Sequence, residues 1–209
     1  MREILETVKY KGFEISICPD SDTESPDAWG DDNLFLTGYH RDFTVKSEIV
    51  TKEECQSLLN KNPEEYGVGK YRYKELLKKY HVFGLEAYIH GGVALSISYE
   101  VNFPDRQWDV SHLGCVFVAK SEWRTRKQAH KSAKVLIETW NQYLSGDVYG
   151  YMVEPDLSGC MGSCWGFYGE DGKKEMIAEA KSEIDCHIDS RKRESAKSKI
   201  LHKESCSAC

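Results

Sequence analysis

The stretch DLSGCMGSCWGFYG, residues 156–169, sets Cys160 and Cys164 four apart among glycines and aromatics. Two such thiols could cycle as a redox pair or supply two metal ligands. Redox pairs favour C-x-x-C, and a zinc site needs about four ligands in a tetrahedron, with no second pair nearby. The stretch reads better as a glycine turn feeding a core strand. Cys164 is then a small buried hydrophobe, with Trp165 and Phe167 on the opposite face. A second constellation, Cys186, His187, His202, Cys206 and Cys209, closes the chain. A C-x-x-C with upstream Cys and His suits zinc, the one cofactor these residues suggest. The same residues also read as a plain flexible tail, because order is poor near a terminus. Cys206 stands where a prenylated cysteine would, but Cys in the last position is an unusual choice for that signal.

QWDVSHLGC, residues 107–115, gathers Asp109, Ser111, His112 and Cys115. Ser, His and Asp are hydrolase types, but neighbours on an extended chain do not converge on one reacting atom. The segment reads as a structured turn before a core strand, with Asp109 tying backbone amides. A catalytic reading needs residues from several segments, namely His40, Arg41, Asp109, His112 and Cys164, gathered in one cleft.

Two charged segments suggest binding instead. Residues 20–32 hold Asp20, Asp22, Glu24, Asp27, Asp31 and Asp32 with no base among them. Their spacing imitates a calcium loop, but Ser25 stands where that loop needs glycine and Asp31 where it needs a long bidentate Glu. Docking on a basic partner, or a solvated loop, remains. KSEWRTRKQAHKSAK, residues 120–134, carries Arg124, Arg126, Lys127 and Lys131 with one acid. This basic helix face could meet phosphates, though no aromatic stacking platform accompanies it; contact with a partner protein and a plain solvated face are the other readings.

The elements that would position these residues follow from patterning. ILETVKY and GFEISIC alternate about a Lys11-Gly12 turn, a hairpin. Residues 33–40 form a short buried strand. Thr51 with Glu54 opens a helix as a capping box, and Asn62-Pro63 ends it. A second helix spans about 70–80. VFGLEAYI, HGG and VALSISYE make a second hairpin, and 113–120 another strand. Ser121 caps a long helix over 122–144. DVYGYMVE and CWGFYG close the sheet as an antiparallel pair. Ile177, Ala180, Ile184 and Ile188 mark a last helix, with residues 190–205 solvated or frayed. The expected fold is α+β, a mainly antiparallel sheet of about six to seven strands with one long helix and smaller helices on it. The expected division is a domain over 1–170 followed by a helix and charged tail over 171–209.

At 209 residues the chain can bury a core without disulfide or metal. A net charge of −6 disfavours general nucleic-acid affinity. There is no apolar leader and no run approaching a membrane span, so a soluble cytoplasmic protein with reduced cysteines is expected. No glycine-rich phosphate loop occurs.

The islands SPDAWGDDNLFLTGYHRDF, LEAYIHGGVALSIS, WDVSHLGCVFVAK, YLSGDVYGYMVE and SCWGFYG, over residues 25–170, resemble a family of small bacteriophage and mobile-element proteins. The combination W-D-x-S, Y-L-x-G-x-V-Y-G and S-C-W-G-F-Y-G carries the resemblance. His112 and the cysteine tail depart from it, and the last forty residues lie outside it. The family brings no activity with it. The resemblance implies an accessory role in host modulation or anti-defence. Together with the two charge patches it leads to the expectation of binding a host macromolecule, a protein before a nucleic acid, through the acidic loop and the basic helix face. A small enzyme using the His/Asp/Cys set is the rival expectation.

Overall fold

A computed structural model describes the backbone of residues 3–154 and 162–206, and their side chains except those of Trp29 and 198–206. The chain divides into two units, residues 1–23 with 146–209, and residues 24–145. Every strand pairing is antiparallel and the helices follow no βαβ pattern, so the α+β class stands. Among the described residues the strands number nine, in sheets of four and five, instead of six to seven in one. The difference arises because the closing pair hydrogen-bonds to the N-terminal hairpin rather than to the central strands. No described helix is long and apolar enough to cross a membrane.

In the first unit, β1 (Glu6–Tyr10) and β2 (Phe13–Pro19) meet at Lys11 and Gly12. Both turn residues are left-handed, with φ of 49° and 90°, the geometry that matches hairpin twist. β2 continues to β8 (Val148–Glu154) and β8 to β9 (Gly162–Tyr168). The long helix α5 (Gly169–Cys206) covers this sheet. It buries Met176, Ala180 and Ile184, spaced by four, against Ile15, Ile17, Tyr151 and Val153. Helix therefore continues through the stretch expected to fray, with residues 189–197 exposed. The expected alternation along β9 fails at Gly166, at φ 86°. Tyr149 opposes Phe167 and Gly150 opposes Trp165, so Gly166 is an extra, bulged residue. Cys164 and Phe167 consequently pack on the same core.

The second unit is a three-layer α–β–α arrangement. Its sheet runs β4 (Thr44–Val45), β3 (Leu34–Tyr39), β7 (Val110–Ala119), β5 (Tyr80–Ile89), β6 (Val93–Ile97). Strand β7 is central and covered on both faces, which is why CVFVA is an unbroken apolar run. Val116 and Val118 face α4 (Arg126–Ser145) through Ala129, Ala133, Ile137 and Trp140. Cys115 and Phe117 face α1 (Lys52–Asn60) and α2 (Lys70–Lys79) through Cys55, Leu58 and Leu76. The Thr51–Glu54 capping box forms as expected. Helix α4 begins later than expected, at Arg126. Thr125 and Gln128 make a capping box of their own, so Ser121 is left in the preceding turn. The helical turn α3 (Arg106–Asp109) leads directly into β7.

Candidate functional site

One face of the second unit carries a groove of ≈ 500 Å³ between the 26–32 segment, strand β3 and helix α4. Its floor is apolar, with Leu34, Leu136 and Trp140. Its edge is acidic, because Asp27, Asp31, Asp32 and Glu48 stand against the single cation Lys46. Val135, on its wall, is 60% exposed although it is a β-branched apolar residue on a helix. The three aspartates lie here because a 3-10 turn, Pro26–Trp29, and a bend at 32–33 carry the chain past α4. Asp27 accepts a hydrogen bond from Ser25 Oγ, and Asp31 Oδ1 accepts one from the Asn33 amide at 2.8 Å. Each carboxylate keeps further acceptor capacity toward the groove.

The rest of the acidic segment behaves differently. Asp20 Oδ1 accepts from the Asp22 amide and Oδ2 from the Gly166 amide at 3.1 Å, tying the bulge of β9. Asp20 and Asp22 belong to the first unit, and Glu24, Asp27, Asp31 and Asp32 to the second.

On the basic helix face, Arg126 donates to the Val82 carbonyl and lies over the Phe83 ring, 4.4 Å from its centroid. It therefore fastens the helix start to β5. Arg124, Lys127 and Lys131 are exposed.

Four residues of the catalytic expectation lie in the second unit, at three places. His40 and Arg41 occupy the β3–β4 turn, where each meets Asp42. Asp109 lies 3.3 Å from His90 Nδ1, an ion-pair distance, in place of the expected amide tie. His112 stands opposite Glu86 in the β5–β7 ladder. Glu86 is fully buried, and Arg106 Nη2 reaches its two oxygens at 2.5 and 2.6 Å. The β5–β7 register shifts between Leu85 and Glu86, so a bulge falls where this carboxylate enters the ladder. His112 Nδ1 is 3.5 Å from Glu86 Oε1, and His112 Nε2 is 3.4 Å from the Tyr99 hydroxyl.

Cys164 belongs to the first unit, on strand β9 of its four-stranded sheet. Burial and then the nearby Glu179 carboxylate raise its thiol pKa, keeping it protonated. Cys186 is exposed, and the His187 ring packs edge-on against Phe13, 5.9 Å between centroids. Among the described residues no three His, Cys, Asp or Glu groups are arranged to hold a metal. Cys160, Cys209 and the side chains of His202 and Cys206 lie outside the described residues.

Glu86, Tyr99 and Arg106 escape a reading by motif. Their one sequence signal is a lone acid inside the apolar strand VFGLEAYI, since a buried carboxylate requires a partner. Compared with protein-family models, curated proteins and solved structures, the chain matches none.

Proposed function

We propose that the chain is a phage-type accessory protein that works in the host cytoplasm by binding a host protein, and that the α4 groove receives a basic segment of that partner. The observation that carries this is the groove itself, four carboxylates and one lysine around an apolar floor. An apolar centre with a charged rim is the anatomy of a protein interface. Opposite charges then steer the encounter and select the partner. An acidic rim also repels phosphate backbones, which favours a protein over a nucleic acid. The island resemblance supports the accessory setting.

The test begins with capture from bacterial lysate, with and without nuclease, by the native chain and by an Asp31→Lys/Asp32→Lys variant. Recovery of one saturable protein near equal stoichiometry, insensitive to nuclease and lost in the variant, supports the reading. The purified partner should then bind the variant at least about tenfold more weakly, a loss of about 1.4 kcal/mol. Equal binding by both proteins overturns the groove as the interface. Enrichment that disappears with nuclease overturns the protein-partner reading. Charge reversal at Arg124 and Lys127 tests the helix face in the same assay.

A further inference from the structure

We infer that Tyr99, His112 and Glu86 form a nucleophile–base–orienter chain that takes a phosphodiester and transfers its phosphoryl group to the Tyr99 phenol. This site is separate from the groove and stands independently of the binding reading. The starting observation is the Tyr99 backbone, at φ 66°. A bulky side chain in the left-handed region costs about 1–2 kcal/mol, and glycine would avoid it. Burial does not offset that cost, because Tyr99 is 74% exposed. What the conformation achieves is positional. The Tyr99 amide donates to Glu86 Oε2 at 3.1 Å while its hydroxyl stands 3.4 Å from His112 Nε2. Asp105, just before Arg106, is also left-handed at φ 46°. Such strain concentrates at functional sites.

The chemistry follows from the order of the groups. Glu86 Oε1, 3.5 Å from Nδ1, orients the His112 ring so that Nε2 faces the phenol. Distances of this length belong to an unliganded site, where catalytic hydrogen bonds are long until substrate closes them. Arg106 Nη2 serves Glu86, and one Nη1 hydrogen serves the Val101 carbonyl. Two of its five N–H donors have no partner among the described residues and are left for an anionic oxygen. The guanidinium lies 4.8 Å from the Tyr99 ring centroid, so such an oxygen would sit beside the phenol. A phosphodiester monoanion suits one free cationic fork beside a carboxylate better than a dianion does.

In the step, Tyr99 Oη bonds to phosphorus and its proton passes to His112 Nε2. The bond from phosphorus to the leaving oxygen breaks, and that oxygen takes the proton from the imidazolium. The products are a tyrosyl phosphodiester and a free alcohol, with no change of oxidation state.

The test uses bis(4-nitrophenyl) phosphate with the full chain, following 4-nitrophenolate release and the mass of the Tyr99 peptide. The expected result is a burst approaching one equivalent per chain, with a nitrophenyl-phosphoryl adduct on Tyr99. Tyr99→Phe should abolish the adduct. His112→Gln should slow the burst about 100-fold or more at unchanged Tm, because the imidazole is exposed and only proton transfer is lost. Absence of both burst and adduct in the folded native chain overturns the assignment. So does an adduct that persists in Tyr99→Phe.

Discussion

The side-chain amide of Asn141 reads both backbone groups of Leu95. Its Oδ1 accepts from the Leu95 amide at 2.7 Å, and its Nδ2 donates to the Leu95 carbonyl at 3.0 Å. Leu95 lies on β6, one of the sheet's two edge strands, whose outward groups would otherwise template another chain. Helix α4 thus supplies, from one residue, what a sixth strand would supply.

Removal of that amide should therefore destabilise the second unit and expose its edge. Asn141→Leu leaves a partly buried donor and acceptor unpaired, at a cost of about 1–3 kcal/mol. Urea unfolding should show a lower midpoint at unchanged slope. Light scattering should show association that rises with concentration. A variant that unfolds at the native midpoint and stays monodisperse would show that solvent serves Leu95 equally well.

Gly114 is a second point where backbone meets backbone. It pairs with Gly38 across β3 and β7, and a Cβ on it would stand 1.9 Å from the Thr37 carbonyl oxygen. Backbone in a central strand cannot yield as a flexible side chain can. Gly114→Ala should cost at least about 1–3 kcal/mol, the range for overpacking. Gly92→Ala, with open space around it, should leave the midpoint nearly unmoved. Equal midpoints for the two variants would mean that β3 and β7 separate more easily than their register implies.

These positions also show which parts of the structure were legible. Local rules held at several elements that neighbours in sequence decide, though not at the α4 start, where Thr125 and not Ser121 forms the cap. The Lys11-Gly12 hairpin, the Thr51–Glu54 cap and the strand at 113–119 all form. Partition of the strands between two sheets was not legible, because nothing in DVYGYMVE states whether it pairs with β2 or β7. The Gly166 bulge had a glycine as its only mark. The candidate sites divide likewise. Composition pointed to the acids at 20–32, but Leu136 and Trp140 of the floor beside 27–32 come from α4, about a hundred residues on. His112 stood out as a residue type, whereas Glu86, Tyr99 and Arg106 become a set only through strand register and a strained loop.

Glu100 gives the second unit an acid-dependent component. Burial pushes its pKa up, but Lys134, at 2.9 Å, and His130 outweigh that and hold it below the ordinary 4.5. A carboxyl depressed by folding contributes stability that is present above its unfolded pKa. That contribution is lost as pH falls through the folded value. Stability should thus drop below about pH 4.5 in the native chain, and Glu100→Gln should flatten that limb. Urea midpoints between pH 6 and pH 3 for both proteins measure this. Parallel curves would place the acid sensitivity at other carboxylates.

Cys164 should be a slow thiol. The thiolate is the nucleophile, and burial together with the Glu179 and Glu183 carboxylates raises the pKa of this one. Tyr151 shares the same environment, with its hydroxyl donating to Glu183 at 2.9 Å. Cys186, on the exposed side of α5, has no such cover. Under limiting iodoacetamide near neutral pH, peptide mass spectrometry should find Cys186 alkylated well before Cys164. Glu179→Gln should then accelerate Cys164 selectively, by removing a negative charge without opening the core. Alkylation of Cys164 first would contradict the carboxylate shield and return this thiol to the list of reactive groups.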